Sequence, residues 1–214
     1  MKTPIARQLR IKAQVEMAYL QDEMVDIMYS LSNDLILHGG TAIWRCYDGK
    51  RFSEDLNFYS RSFTEKIPTF QRMVDSHGLI LSKIKDAGNV IFSNVRNDSA
   101  NVKVEINHVS IAVGTQMAYE LTDGSSIEIL SLTPDQFINE KILAYSNRRY
   151  IRDLYDIFHI VNSADLLNCS KRKLVKFMEQ LEYPVDEKVL KTIVYSGLAP
   201  SFDNLIQGIM RRIK

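Results

Sequence analysis

Cysteine, net charge and long apolar runs are all scarce in this sequence. Only Cys46 and Cys169 occur among 214 residues, and neither has a CxxC motif or a Cys/His cluster near it, which argues against a disulfide framework and a zinc site. The N-terminus is followed by charged and polar residues, and no stretch approaches the roughly 18 apolar residues of a membrane span. We therefore expect a soluble protein of the reducing cytoplasm with no membrane partner.

Positive and negative charges are nearly equal in number. The chain has 27 Lys and Arg residues and 26 Asp and Glu residues, which gives a net charge of +1. A protein that coats nucleic acid with a general basic surface is not expected from this balance. Any polyanionic ligand must therefore meet a local patch. Hydrophobic residues make up 45%, with only 9 Gly and 5 Pro, so the chain can bury a substantial core and is neither disordered nor fibrous.

The first half of the chain mixes helical and strand patterns. Apolar residues recur at helical spacing over residues 5–31, and residues 35–37 form a short apolar run typical of a buried strand. Gly39 and Gly40 end that run, and residues 41–47 follow as a helix. The sequence thus predicts a strand, a glycine turn and a helix in succession.

Further strands and helices follow in two blocks. A strand is predicted at residues 56–59 and a helix near 64–77. Several alternating runs with turns between them follow between residues 79 and 130, and these runs indicate a mixed or antiparallel sheet. Thr133 and Pro134 are a typical helix start. The helices predicted after it are 135–146, 151–162, 171–182, 187–195 and 202–213. The fold class expected is α+β, with domains at 1–132 and 133–214.

The glycine turn is the first candidate for chemistry. Adjacent glycines at Gly39 and Gly40 let backbone approach a ligand closely, and the N-terminus of the following helix attracts phosphate. A glycine turn between strand and helix is also common for purely steric reasons. The turn alone leaves both interpretations open.

Acidic side chains on two strands are the second candidate. Strand periodicity places Ser53, Asp55 and Asn57 on one face. Mg²⁺ needs one or two carboxylates with phosphate oxygens from its substrate, so Asp55 with a further acid would suffice. Glu105, in the alternating run Lys103 to Asn107, is that further acid. The alternative is that Glu105 lies on the solvated face of the sheet.

The predicted helical part holds the third candidate, a group of basic and acidic residues. Lys141 precedes Arg148, Arg149, Arg152 and Asp156, and side chains from two neighbouring helices can project in the same direction. The alternative is an ordinary pair between Arg152 and Asp156 one helical turn apart, worth about 0.3 kcal/mol.

Taken together and in order, these residues resemble a known family. The segments GGTAIW, RFSEDLNF and KVEI, then Lys141 and RDLYDI, resemble the AbiEii-type nucleotidyltransferases, which are toxins of abortive-infection toxin–antitoxin pairs in the polymerase-β-like superfamily. The resemblance covers roughly residues 38–160. It implies a mixed sheet with flanking helices and a C-terminal helical part.

The resemblance also implies an activity and its partners. Members transfer a nucleotide from an NTP with Mg²⁺, and Mn²⁺ is the alternative ion. Some act on the 3′ end of tRNA, so an RNA acceptor and a cognate antitoxin are the partners implied.

The same resemblance implies a role for each matching residue. Gly39, Gly40 and Thr41 match the loop that cradles the triphosphate, with Arg51 and Ser53 beside it. Asp55 matches the first metal-binding acid, with Asn57 and Glu105 as the other metal ligands. Three positions of the helical part match in the same way: Lys141 as the lysine that neutralises the triphosphate, Asp156 as the second-motif aspartate and Arg152 as a phosphate contact.

Asn57 departs from the family pattern S-x-D-L-D, in which this position is an acid. An amide oxygen can bind a metal but brings no charge, so a two-metal arrangement is weakened. The alternatives are a single productive Mg²⁺ on Asp55 and Glu105, an attenuated enzyme, or a nucleotide-binding partner protein that does not catalyse transfer. A small-molecule nucleotidyltransferase, for instance one acting on an aminoglycoside, would share the same pocket.

Basic runs occur near the C-terminus. Lys171, Arg172, Lys173 and Lys176 form one, and the other is at residues 211–214. They would meet RNA phosphates, or they are simply solvated helix faces.

Overall fold

The first apolar stretch forms two helices instead of the single helix that its periodicity predicts. The computed structural model describes residues 3–108 and 114–213. Helix α1 spans Ile5–Gln8 and α2 spans Lys12–Leu31, because Leu9 and Ile11 between them have extended backbone. The amide of Ala6 donates to the carbonyl of Thr122 at 2.9 Å. This bond ties the first turn of α1 to Thr122, in the turn that follows the sheet residue Glu120.

A seven-stranded mixed sheet forms the centre of the first part of the chain. Its order is β3-β4-β5-β2-β1-β7-β6, and the β2–β5 and β1–β7 pairs are parallel while the other neighbours are antiparallel. The strands are β1 Ile36–His38, β2 Leu56–Tyr59, β3 Ile80–Asp86, β4 Val90–Arg96, β5 Asn101–Asn107, β6 Thr115–Glu120 and β7 Ser126–Ser131. The predicted mixed sheet is confirmed.

One face of this sheet is packed and the other is open along β4 and β5. Burial alternates strictly on β4 and β5, where the inward residues are buried: Ile91, Ser93, Val95, Val102, Val104 and Ile106. Helix α2 contacts β5, and α4, which spans Ile67–Ser76 after a 3₁₀ turn at Phe63–Lys66, contacts β3. Helix α3 spans Gly39–Cys46 and follows β1 directly.

Helices make up the rest of the chain, as predicted. They are α5 Pro134–Arg148, α6 Ile151–Ser163, α7 Asn168–Glu179, α8 Leu190–Ile193 after a 3₁₀ turn at Glu187–Val189, and α9 Phe202–Ile213. Thr133 begins α5 with a capping box: Gln136 donates its amide to the Thr133 hydroxyl, and its side-chain oxygen accepts from the Thr133 amide. The predicted start of this helix is confirmed, and so is the α+β class with flanking helices.

The chain divides into two compact units. Unit 1 comprises Met1–Cys46 and Ser53–Ser131, and unit 2 comprises Tyr47–Phe52 and Leu132–Lys214. Backbone bonds attach the short segment to the C-terminal part, because Phe52 donates to Ile193 and Tyr195 donates to Lys50. Within the described ranges, no helix combines the length and apolar character that crossing a bilayer requires.

Candidate functional site

Gly39 joins β1 to α3 and lies against Asn57. Its φ of +75° is in the region that favours glycine, and a Cβ at this position would lie 2.9 Å from the Asn57 side-chain nitrogen. Both the turn and the close approach therefore require glycine here. Gly40 follows as a buried residue in the first turn of α3.

Thr41 anchors the segment that carries the acid. Its buried hydroxyl donates to the backbone carbonyl of Asp55 at 2.6 Å. The first turn of α3 is thereby tied to the residue just before β2. Contact of Thr41 with a triphosphate stays a prediction.

Gln21 of α2 holds the same segment from the other side and was missed in the sequence. Its side-chain nitrogen donates to the carbonyls of Ser53 and Glu54, each at 2.9 Å, and the residue is fully buried. The signal for it is a single polar residue among the apolar positions of α2 that are buried: Ala18, Leu20, Met24, Val25, Ile27 and Met28.

The predicted metal ligands lie on adjacent strands. Asn57 of β2 is directly opposite Glu105 of β5 in the parallel register, and Asp55 lies two residues before Asn57. Ser53, Asp55 and Asn57 are half-buried, whereas Leu56 and Phe58 between and beyond them are buried. The alternation that places these polar side chains on one face is present.

Two carboxylates repel each other at this place. The pKa of Glu105 is raised above its ordinary value, first by burial and then by the negative charge of Asp55. Lys103 and His38 act in the opposite direction with smaller effects. A cation bound between the two acids would relieve this repulsion.

The donor set fits a magnesium ion that also binds its substrate. Among residues 3–108 and 114–213, no group of three or more His, Cys, Asp or Glu side chains could hold a metal. Two carboxylates and one amide oxygen are nevertheless what Mg²⁺ takes from a protein when phosphate oxygens and water complete its shell. Asp55, Asn57 and Glu105 are the residues that would hold it.

Unit 2 contains a separate cluster of buried charges. Arg51 donates to both oxygens of Asp156, from Nε and Nη2, at 2.6 Å each. The ammonium of Lys141 lies 3.0 Å from Asp156 and 3.7 Å from Asp153. Arg51, Lys141 and both aspartates are buried. The structure therefore brings three of the predicted site residues, Arg51, Lys141 and Asp156, into contact.

Asp153 is a member of this cluster that the sequence prediction omitted. Its side chain is fully buried and accepts two bonds of 2.8 Å from Arg148. The signal is the spacing of Asp153 and Asp156, because residues three apart share one face of a helix. Glu140, whose carboxylate lies 4.0 Å from the Lys141 ammonium, is a third acid at this cluster, so three cations face three carboxylates.

The charges on Arg51 and Lys141 control the ionisation of Asp156. Burial alone would raise the pKa of Asp156, but Arg51 and then Lys141 outweigh burial and hold that pKa below its ordinary value. The carboxylate is therefore charged at neutral pH and fixes both cations in place.

Arg152 does not join the cluster. Its guanidinium carbon lies 5.4 Å from the centre of the Tyr150 ring. The Arg152–Asp156 pair that the spacing allows is not formed, since Arg51 and Lys141 take the Asp156 oxygens. Arg152 is half-exposed, and its contact with phosphate stays a prediction.

The candidate site residues thus fall into two groups. In unit 1 the structure joins Gly39 to Asn57, Thr41 to Asp55 and Asn57 to Glu105. Ser53 is held there through its carbonyl. Unit 2 contains the other group, with Arg51, Lys141 and Asp156 in contact and Arg152 apart from them.

Comparisons with known proteins agree with the motifs. The model of the family described as "Nucleotidyl transferase AbiEii toxin, Type IV TA system" matches residues 26–183. The crystal structure of JHP933 from Helicobacter pylori is similar with a TM-score of 0.64 and 18% identity, covering 92% of this chain and 90% of that chain. A candidate nucleotidyltransferase from H. pylori is similar with a TM-score of 0.59 and 20% identity, over 90% of each chain.

At these identities the two structures are evidence for the fold alone. No curated protein matches the chain in sequence.

Proposed function

This chain belongs to the AbiEii family of nucleotidyl transferase toxins, and from that premise we propose that it transfers a nucleoside monophosphate from an NTP to an acceptor hydroxyl. The observation that carries the proposal is the pair of acids at the glycine turn. Asp55 and Glu105 repel each other beside Asn57, and Asn57 touches Gly39 at the start of α3. A bound divalent cation would relieve the repulsion between these two acids and would attract a phosphate to the same place.

Asp55, Asn57 and Glu105 are the residues proposed to hold Mg²⁺, or Mn²⁺ in its place. When bound, such an ion would neutralise charge on the phosphates. The chain's own contribution in unit 1 is to bind and orient: the free amides at the start of α3 donate to phosphate oxygens. Thr41 and Gln21 fix the backbone of residues 53–55 through the bonds to Asp55, Ser53 and Glu54.

The charge cluster of unit 2 is proposed to bind triphosphate charge. Asp156 and Asp153 hold Arg51, Lys141 and Arg148 in fixed positions, and preorganised charges need no rearrangement when the substrate's charge develops. Lys141 and Arg51 are the proposed cations for the phosphates, with Arg152 as a further contact. Asp156 acts as the positioning residue for both.

The proposed acceptor is RNA, with the 3′ end of tRNA as the specific site, and the proposed protein partner is a cognate antitoxin. Asn57 favours one further candidate function, a nucleotide-binding protein of attenuated activity, because an amide supplies no charge at a position where an acid would. A small-molecule acceptor uses the same pocket chemistry and is separated by the acceptor screen below.

The decisive experiment follows label from each α-³²P-labelled NTP into total RNA, protein or small acceptors. We expect the wild type to label RNA and Asp55→Ala to lose the label. Glu54→Ala is the matched control, because Glu54 is the neighbouring acid and is exposed. Undiminished labelling by Asp55→Ala removes the proposal, and label only in small molecules replaces the RNA acceptor.

Asn57→Asp separates an enzyme from an attenuated binding protein. The change restores a third acid beside Glu105 and Asp55. A large gain in transfer rate means that the site has lost activity through the replacement of an acid by Asn57. Little change means that the site works with a single metal ion. The measurement is the same labelling assay at saturating NTP.

A further inference from the structure

Strands β3, β4 and β5 present an open face of which the family segments quoted above include only Lys103 and its neighbour Glu105. The outward side chains lie in rows across the strands, since Lys85 is opposite Phe92 and Phe92 is opposite Glu105. In the next row Lys83 is opposite Asn94, which is opposite Lys103. We call this surface the open sheet face. Its members are Lys83, Lys85, Phe92, Asn94, Arg96, Asn101 and Lys103.

The open sheet face is strongly basic although the whole chain is nearly neutral. Lys83, Lys85, Arg96 and Lys103 are all exposed, and within residues 3–108 and 114–213 none of the four forms an ion pair. The acid next to this face is Glu105, opposite Phe92, which the proposed function assigns to the metal. Four unpaired cations on one small surface attract a polyanion.

Protection of a sheet edge explains only part of this charge. Lysines on an edge strand block pairing with another chain, which would account for Lys83 and Lys85 on β3. Arg96 and Lys103 lie on β4 and β5, which are paired on both sides. Edge protection therefore does not account for the positive charge of these two residues.

An exposed aromatic ring lies among the cations. Phe92 is 39% exposed at the centre of the face, with Lys85 on one side and Glu105 on the other. An exposed aromatic ring beside basic residues on a sheet is a platform on which an unpaired base stacks.

The open sheet face is continuous with the candidate metal site. Glu105 lies opposite Phe92 on one side and opposite Asn57 on the other. Neighbouring strands are about 4.8 Å apart, so Lys85 lies only about 10 Å from Glu105 across the sheet. A strand bound on Phe92 and the lysines therefore has its end close to the two acids.

We infer that the open sheet face binds the single-stranded end of a polynucleotide acceptor, with Phe92 stacking on a base and the cations contacting phosphates. The inference rests on the proposed function for the meaning of the neighbouring acids, but the binding itself does not require catalysis. A duplex has its bases paired and stacked, so it cannot use Phe92 in this way.

The test measures binding in EDTA and without NTP, so that failure of transfer does not affect it. The probe is a fluorescein-labelled RNA of 12 nucleotides with mixed sequence and no secondary structure, and the same sequence as a duplex. We expect Lys83→Gln with Lys85→Gln to weaken binding and to reduce the log–log salt slope by about 1.4, which is two phosphate contacts at ~0.7 each. Arg10→Gln with Lys12→Gln is the matched control, because both residues are exposed cations that are distant in sequence from strands β3, β4 and β5.

Phe92 is tested separately to distinguish stacking from charge. Phe92→Leu keeps an apolar side chain without a ring and is expected to weaken single-strand binding about 5- to 150-fold. Phe92→Trp keeps an aromatic ring and is expected to bind single strands like the wild type. Melting temperatures of the variants establish that they are folded.

Each outcome decides the inference. Weakened binding of single strands by both the lysine pair and Phe92→Leu supports it. Unchanged binding in the lysine pair or in Phe92→Leu, or equal loss in the control pair, overturns it. If Asp55→Ala keeps its labelling while the face still binds RNA, the proposed function fails and the binding surface stands.

Discussion

At the scale of single residues, Glu105 combines a cost to stability with a proposed role in function. Its pKa is raised because burial and the charge of Asp55 both disfavour the carboxylate. A group with a raised pKa binds a proton more tightly in the folded state than in the unfolded chain. At pH 7, where the carboxyl is ionised in the unfolded chain, the raised pKa therefore lowers the free energy of unfolding.

Glu105→Gln should accordingly stabilise the metal-free protein at pH 7. We expect a rise in melting temperature of about 1–3 °C in EDTA, because less than 1 kcal/mol is at stake at a half-exposed site. The difference should vanish as the pH falls below about 4.3, where the acid is protonated in the unfolded chain as well. Circular dichroism melts from pH 7 to 4 measure it.

Added Mg²⁺ should reverse the order of the two proteins. An ion that binds only the folded state raises the melting temperature of the wild type, and the variant lacks one of the ligands. Glu128→Gln, an exposed acid of β7, is the control and should respond like the wild type. A Glu105→Gln variant that Mg²⁺ stabilises as much as the wild type would remove Glu105 from the metal site.

At the scale of elements, α6 and α9 pack at a distance that only glycine allows. A Cβ at Gly208 of α9 would lie 2.3 Å from the ring of Phe158 in α6. Alanine is favoured over glycine inside a helix by about 1 kcal/mol, so the helix itself gains from the change. Overpacking costs about 1–3 kcal/mol and should exceed that gain.

We therefore expect Gly208→Ala to lower the free energy of unfolding by up to about 2 kcal/mol. In a Phe158→Ala background the ring is absent and the same change should be neutral or stabilising. Urea denaturation of the four proteins of this cycle measures the coupling. A loss of equal size in both backgrounds would mean that the contact with Phe158 is not the cause.

The elements that the sequence predicts well are those with a local pattern. Strand β2 lies where its alternation places it, and α5 begins at Thr133 because the cap is local. The alternating runs predicted between residues 79 and 130 are at 80–84, 90–95, 102–106 and 127–129, and strand β6 lies outside them. Its residues Thr115–Glu120 are mostly polar or exposed and form a strand because β7 pairs with them. The extended backbone at Leu9 and Ile11, which separates α1 from α2, is likewise not indicated by the helical spacing of the apolar residues.

The same limit applies to the candidate site. Gly39, Asp55 and Glu105 could be selected because the residue types themselves indicate chemistry. For Gln21 and Asp153 the sequence holds only a polar residue in an apolar stretch and a helical spacing, whereas their roles arise from contacts with residues 53–54 and with Arg148. The motif also does not reveal that Asp156 binds both Lys141 and Arg51. Contact of these two cations with phosphate stays a prediction.

At the scale of the whole molecule, a nearly neutral chain still buries a dense group of charges. Arg51, Lys141, Asp153 and Asp156 are each at most 5% exposed. Buried charges are stabilising only as a set, because removing one leaves the others without compensation. The response of the protein to acid should therefore depend on this cluster.

Asp156→Asn should lower the free energy of unfolding at pH 7 by about 3–5 kcal/mol, since Arg51 and Lys141 lose their shared partner. The folded pKa of Asp156 is depressed, so its contribution is present above the unfolded value of about 3.9 and is lost as the pH falls further. The gap between the two proteins should narrow below about pH 4.

Denaturant titrations from pH 7 to 3 check this, with Asp165→Asn as an exposed control from the same unit. A gap that stays constant with pH would show that the ionisation of Asp156 does not stabilise the fold.

The short segment Tyr47–Phe52 restricts how this protein can be divided or exchanged by recombination. It belongs to the second compact unit although unit 1 residues flank it on both sides in sequence. A gene fragment that begins at Leu132 would encode Lys141 and Asp156 but not Arg51, the bidentate partner of that aspartate. The helical part is therefore not a contiguous cassette, and gene shuffling at a single crossover would separate the cluster from one of its cations.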